Sequence, residues 1–126
     1  MDKKKLMEAF WRDVSEQNGA SLRAYFSKDA VIKWHNTNER FTVEEYLIAN
    51  CEYPGNWFGE IQRIEELNDT IITVVRVHDL QDGISVHATS FIKFEEGKII
   101  EMDEYWSDDG PVPHWRLDKK IGTTIK

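Results

Sequence analysis

The residue best suited to chemistry is a glutamate near the end of the last predicted strand. Counting back from a turn at Gly97 places Glu104 on the same sheet face as Ala88, Ile92 and Met102, a face otherwise made of apolar or small side chains. Burial disfavours the ionised form of a carboxyl group, so its pKa rises toward the range that general acid–base catalysis needs. Two interpretations stay open: Glu104 removes or relays a proton, or it is structural and interacts with a buried arginine, tryptophan or tyrosine.

A second, weaker candidate is His35, which ends the first predicted strand beside Trp34 and Asn36. A histidine at the mouth of a pocket can act as a base, although the same position suits an exposed strand-edge residue. The chain has no HxH, HExxH or Cys/His spacing, no Ser-His-Asp pattern and no glycine-rich phosphate loop. The sequence therefore predicts neither a metal nor another cofactor.

Five tryptophans in a short chain indicate an aromatic cavity or, equally, ordinary core packing. Trp34 and Trp106 fall on inward-facing strand positions, Trp57 lies at the start of a run of strands, and Trp11 is expected in the core. A ring of aromatic side chains suits a flat, mostly apolar ligand. The candidate ligand-binding residues are Trp34, Asn36, Tyr46, Trp57, Ser90, Met102 and Trp106.

The elements that position these residues begin with helices. An apolar stripe from Leu6 to Val14 predicts a first helix that stops at Asn18-Gly19. A short second helix is expected over 21–26, and the alternation over 30–35 predicts a strand.

The second half of the chain is typical of an antiparallel meander. Thr42 and Glu45 form a capping box, so a third helix starts at Thr42, and Pro54-Gly55 ends it. Four strands follow, at 57–67, 70–78, 84–94 and 98–106. The predicted fold class is α+β, with N-terminal helices packed on a curved antiparallel sheet that forms a cone.

Two loops decide which strand residues face inward. A three-residue loop with Gly97 in the left-handed position is favoured, because Glu96 is poorly suited to positive φ, and it pairs Ala88 with Glu104. A loop of Leu80 to Gly83 pairs His87 with Arg76 and turns inward Ile71, Thr73, Val75 and Val77. A loop one residue longer would instead direct Arg76 and His78 into the pocket.

Length and composition restrict the class of protein. A chain of 126 residues, 40% hydrophobic and 31% charged, is typical of one globular domain, here 1–126. A net charge of −7 repels phosphate backbones and anionic lipid, so nucleic acid and membranes are not expected as partners. Cys51 is the single cysteine, and no long apolar segment is present, so a cytoplasmic location is expected.

The order of elements and three segments, 24–31 (AYFSKDAV), Trp34-His35 and 94–101 (FEEGKIIE), resemble the nuclear transport factor 2-like (NTF2-like) superfamily. Within it, the chain is most similar to SnoaL-like, polyketide cyclase-like bacterial proteins over residues 3–106. The fold hosts isomerases, cyclases, dehydratases, hydrolases, noncatalytic binding domains and transport factors, so the resemblance indicates fold more than function.

The resemblance also implies which positions carry chemistry in relatives. Ketosteroid isomerases of this fold use a tyrosine, a protonated aspartic acid and an aspartate base, where this chain has Phe10, Ser90 and Trp34. A steroid-isomerase mechanism is therefore disfavoured. The acid/base aspartate of SnoaL-like cyclases falls on Glu104, whose carboxyl group extends one methylene further.

Three functions follow as expectations. The first is a domain that binds a small, mostly apolar or aromatic molecule in the cone. The second is a cofactor-independent isomerase, cyclase or lyase on a carbonyl compound, with Glu104 as general acid/base and Asn36 or Ser90 bonding the oxygen. The third is a noncatalytic protein-interaction domain. The resemblance further implies a homodimer through the outer sheet face, with the tail 107–126 covering the pocket or the partner.

Overall fold

The computed structural model describes residues 2–79, 81 and 83–126. The helices are α1 (Lys3–Ser15), α2 (Gly19–Arg23), α3 (Val43–Cys51) and α4 (His114–Lys119). The strands are β1 (Phe26–Trp34), β2 (Glu39–Phe41), β3 (Trp57–Leu67), β4 (Thr70–Asp79), β5 (Ser85–Glu95) and β6 (Lys98–Asp108). The α+β class and the cone shape, in which the first three helices close a curved sheet, are as the sequence predicts.

The six strands form one sheet in the order β2-β1-β6-β5-β4-β3. Strands β3 to β6 are the predicted antiparallel meander, and β1–β2 is an antiparallel hairpin, but β1 runs parallel to β6. The sheet is therefore mixed: the predicted antiparallel meander is present, and the one parallel pair among the described strands joins β1 to β6. The last strand, β6, pairs with β1 only after the whole meander has formed. This pairing joins distant parts of the sequence, so no local pattern predicts it.

The helices differ from expectation at their ends. Gln17 has a positive φ of 58°, which ends the first helix region, and the Asn18 side chain then caps α2 by accepting from Ser21 N. Strand β1 accordingly starts at Phe26, four residues before the predicted strand. The capping box of Thr42 and Glu45 forms as predicted, with α3 starting at the next residue, Val43.

The turn between β5 and β6 differs from the predicted one. Glu96 and Gly97 have φ values of 51° and 79°, so the turn has two residues and pairs Glu95 with Lys98. Glu96 tolerates the left-handed conformation that was expected to exclude it. The predicted three-residue loop is therefore wrong.

A β-bulge two residues further along corrects the effect of that turn. Phe94 pairs with Ile99 and Lys93 with Glu101, so Ile100 is the extra residue on β6. Beyond the bulge, Glu104 lies opposite Ser90 rather than the predicted Ala88. The facing direction is nevertheless the predicted one, because turn and bulge together shift the register by an even number of residues.

The β4–β5 register agrees with the prediction. Arg76 pairs with His87, and both Arg76 and His78 lie outside the row of buried side chains. That buried row contains Ile71, Thr73, Val75 and Val77, none more than 7% exposed. Leu80 and Asp82, within the predicted Leu80 to Gly83 loop, lie outside the described residues.

Helix α1 covers the sheet face on which these residues lie. Trp11 is buried as predicted, and its indole nitrogen donates to Thr73 Oγ1 at 3.1 Å. The end of α1 approaches β3 so closely that a Cβ on Gly59 would lie 2.5 Å from Ser15 Oγ. This close contact brings the last turn of α1 over the open end of the cone.

The last eighteen residues lie outside the core. Residues 109–126 are exposed throughout, including Trp115 in α4, which is 61% exposed. Helix α4 is too short to have a strong periodic signal and was not predicted. None of the described helices is long and apolar enough to cross a membrane.

Candidate functional site

A cavity of about 580 Å³ opens between the sheet and the ends of α1 and α3. Its wall has four aromatic side chains, Trp34, Tyr53, Trp57 and Trp106, and one carboxylate, Asp108. The remaining lining residues are small, aliphatic or amide-bearing: Val14, Ser15, Gln17, Asn36, Thr37, Ala49, Asn50, Val77, Ile84, Val86 and Ser107. A concave, mostly apolar wall with few polar groups is typical of small-molecule sites.

Glu104 lies beneath this cavity, 1% exposed. Its carboxylate accepts hydrogen bonds from Trp34 Nε1 at 3.0 Å and from Ser90 Oγ at 2.6 Å. No lysine, arginine or histidine of the described residues forms an ion pair with it. Burial raises its pKa to about 7 even though the two hydrogen bonds lower it.

The Glu104 carboxyl group is not on the cavity wall, although a ring that donates to it is. Trp34 both lines the cavity and donates to Glu104, whereas Glu104 is not among the lining residues described. Tyr46, 1% exposed, stands on the helix side with its ring centroid 6.3 Å from that of Trp34. Burial, followed by the Glu104 charge, raises the pKa of Tyr46 well above its usual value. Tyr46 and Glu104 are thus both buried and both absent from the described cavity wall.

Trp106 is held by the turn that follows β1. The Asn36 side chain donates to the Trp106 carbonyl and accepts from the Trp106 amide, two residues beyond the last β1–β6 pair, Trp34 with Glu104. The indole N–H of Trp106 is buried and has no acceptor among the described residues. The Trp106 ring stands near Trp34, with centroids 6.4 Å apart and planes at 69°.

The structure places four of the seven predicted ligand-binding residues on the cavity wall: Trp34, Asn36, Trp57 and Trp106. Tyr46, Ser90 and Met102 lie in the core instead, each 1% exposed or less. These three residues lie on the part of the inward sheet face that the helices cover. The cavity occupies the remaining part, near the ends of α1 and α3.

His35 lies on the opposite side of the sheet from the cavity. Its Nε2 hydrogen-bonds Asp103 Oδ1 at 2.6 Å, and its ring stacks on Tyr105 at 4.4 Å between centroids. Alternation explains the placement, because Trp34 faces inward and the next residue must face outward. His35 is not among the lining residues of the cavity, and we assign it no part in cavity chemistry.

Sequence reasoning missed several wall residues. Strand β6 runs two residues beyond its predicted end, so Asp108 continues the inward row of Glu104 and Trp106. That row could have been extended from the alternation alone. Tyr53 and Gln17 lie in turns after helices, where no periodicity indicates which way a side chain points.

Comparisons with known proteins identify the fold. No protein-family model and no curated protein matches the chain. An NTF2-like protein of unknown function from Burkholderia xenovorans LB400 is 20% identical, with a TM-score of 0.79 over 98% of this chain and 94% of that one. A candidate SnoaL-like polyketide cyclase from Shewanella putrefaciens CN-32 is 10% identical, with a TM-score of 0.69 over 84% and 90%.

A third similar structure holds a small molecule. It is a protein with a ketosteroid isomerase-like fold from Catenulispora acidiphila DSM 44928, solved in complex with trimethylamine. It is 17% identical, with a TM-score of 0.65 over 79% of this chain and 82% of that one. The chain therefore has the NTF2-like fold that SnoaL-like and ketosteroid isomerase-like proteins share, which confirms the resemblance at the level of fold.

Proposed function

We propose that this protein binds a small, mostly apolar molecule in the cone cavity. The observation that carries the proposal is the internal space of about 580 Å³ with four aromatic side chains on its wall. A cavity of this size is within the usual range for small-molecule sites. Such a volume favours a ligand over the alternative of a pure protein-interaction domain, whose cone would be filled by its own side chains.

The aromatic wall is fixed before any ligand arrives. Trp34 Nε1 donates to Glu104, Trp57 Nε1 donates to the Pro54 carbonyl at 3.1 Å, and Asn36 bonds the Trp106 backbone. Side chains already held in place lose little conformational entropy on binding, which favours affinity. In this proposal Glu104 is a positioning residue that orients the Trp34 ring.

A catalytic role for Glu104 is the second candidate, and one observation favours it. The carboxyl group has a pKa of about 7 and only neutral hydrogen-bond donors. A group with that pKa could move a proton on a carbonyl compound at neutral pH, as a cofactor-independent isomerase, cyclase or lyase requires. The surrounding side chains would have to move first, since Glu104 is buried and is not among the lining residues of the cavity. Binding without this movement is the simpler function.

The outer sheet face supports a proposal of homodimerisation. Three aromatic side chains are exposed on this face: Phe58 (48%), Phe91 (40%) and Tyr105 (46%). The Phe91 and Tyr105 rings pack edge to face, with centroids 6.0 Å apart. Paired polar groups surround them, including His35 with Asp103 and His87 with Asp109. An aromatic centre with a satisfied polar rim is typical of a protein interface. The tail 107–126 could then reach either the cavity mouth or the partner.

The binding proposal is tested by native mass spectrometry and by calorimetric titration with 2-naphthol. We expect a co-purified small molecule or one-site naphthol binding. Val86→Phe fills part of the cavity and should weaken naphthol binding about tenfold or more, because the added ring removes ligand space. Val112→Phe, on the exposed tail, is the matched control and should leave binding unchanged. Equal binding by both variants, or no naphthol binding by the parent protein, would contradict the proposal.

A further inference from the structure

We propose that the ligand of the cone cavity carries a positive charge, as an alkylammonium group does, and that Asp108 together with the aromatic wall recognises it. This inference rests on the proposed binding function and adds the chemical class of the ligand. It follows from the charge, the ring arrangement and the hydrogen bonds of the wall.

The described wall of the cavity carries only negative charge. Asp108 is the only charged residue among the lining residues that the structure describes, and lysine, arginine and histidine are absent from that set. Asp108 also forms no ion pair with any described residue. A cation in the cavity would therefore meet the exposed Asp108 carboxylate and no positively charged side chain among the described lining residues.

The four aromatic rings of the wall form two inclined pairs. Trp34 and Trp106 meet at 69°, with centroids 6.4 Å apart, and Tyr53 and Trp57 also meet at 69°, with centroids 5.5 Å apart. The four ring planes therefore do not all share one orientation on the wall. A cation attracted to the face of tryptophan or tyrosine gains most when water is excluded, and tryptophan is the strongest partner.

The amide side chains of the wall already use N–H donors within the protein. Gln17 donates to the Asn50 and Tyr53 carbonyls, Asn36 donates to the Trp106 carbonyl, and Asn50 donates to the Val14 carbonyl. The unpaired Trp106 N–H is itself buried. An anionic ligand would also meet the Asp108 carboxylate, so this wall suits a ligand whose polar group is a cation.

Glu104 adds a second negative charge that depends on pH. It lies behind Trp34, and burial raises its pKa to about 7. The groups that face it are Trp34 from β1, Ser90 from β5 and the neutral Tyr46 from α3. A bound cation favours the ionised carboxylate, so binding should release a proton and tighten as pH rises through about 7.

The test compares two probes of the same shape, choline and 3,3-dimethylbutan-1-ol, which differ in a quaternary nitrogen or carbon. Binding of each probe is followed by the tryptophan indole N–H signals in NMR titrations. At pH 8 we expect choline to bind about tenfold or more tightly than the neutral alcohol, because cation–π contacts are strong when water is excluded. Asp108→Asn should remove most of that preference. Asp118→Asn, the same change on exposed α4, is the control and should retain it.

The outcomes separate this inference from the binding function. If 2-naphthol binds but choline binds no more tightly than its neutral analogue, or neither probe binds, the cationic ligand is wrong and the binding function stands. If naphthol also fails to bind, both proposals fall. A choline preference that Asp108→Asn leaves intact would likewise overturn the assigned recognition.

Discussion

Adjacent residues of β6 lie on opposite faces of the sheet and have different surroundings. Glu104 faces inward, 1% exposed, and its carboxylate is bonded only by neutral donors. Its neighbours Asp103 and Tyr105 face outward, where Asp103 is paired with His35 and lies within 3.9 Å of Lys33. An acidic side chain thus has its pKa raised by burial on one face, and another is a solvent-accessible ion-pair partner on the other face. Solvent access, rather than residue type, makes the difference.

The largest expected effect comes from placing a charge on each face. Ile92→Lys puts an ammonium group at a fully buried position, and we expect a loss of about 4 kcal/mol or more in the free energy of unfolding. Phe91→Lys changes the adjacent residue, which is 40% exposed, and should cost about 1 kcal/mol or less. Urea denaturation measures both. Similar losses would mean that the two faces are not distinct environments.

Glu104 should make folding stability depend on pH in an unusual direction. Its pKa is raised from 4.5 to about 7, so the native state holds the proton more tightly than the unfolded chain does. Its stabilising contribution is fully present below about pH 4.5 and is lost as pH rises through about 7.

Glu104→Gln isolates this effect, because glutamine can still accept one of the two hydrogen bonds and cannot ionise. We expect the parent protein to lose roughly 3 kcal/mol relative to the variant between pH 4.5 and pH 8. Urea denaturation of both proteins across this range gives the difference. A constant difference would show that Glu104 does not titrate there.

The smallest effect on the folded chain should come from the outer face. Tyr105→Glu adds a charge at the proposed dimer centre, where the residue is 46% exposed, and should cost the monomer about 0.5 kcal/mol or less. Sedimentation velocity should nevertheless show a shift from dimer to monomer. Leu117→Glu, on the exposed α4, is the control if the tail takes no part. A parent protein that is already monomeric would contradict the dimer proposal.

The sequence predicts the meander well because each strand has its own periodic signal. The bounds predicted for β3, 57–67, are those observed, and the capping box locates the start of α3. Both features depend on interactions within a few residues. The inward position of Glu104 also follows from alternation, although its hydrogen-bond partners could not be assigned from the predicted register.

What the sequence does not predict depends on contacts between distant segments. Trp34 reaches Glu104 only because β1 runs parallel to β6, a pairing that brings together residues 70 positions apart. The three-residue strand β2 forms only against β1. The cavity mouth is built from turn residues such as Tyr53, whose direction is set by packing rather than by periodicity.

The bulge at Ile100 lets the last strand contain an extra residue without exchanging its two faces. Ile99 lies opposite Phe94 and Glu101 lies opposite Lys93, so Ile100 is the residue that β5 does not match. Deleting Ile100 should leave both pairs in place and remove the bulge, so Glu104 and Trp106 would keep their inward positions. A lineage of such proteins could therefore gain or lose one residue at this point without changing which side chains of β6 face the helices.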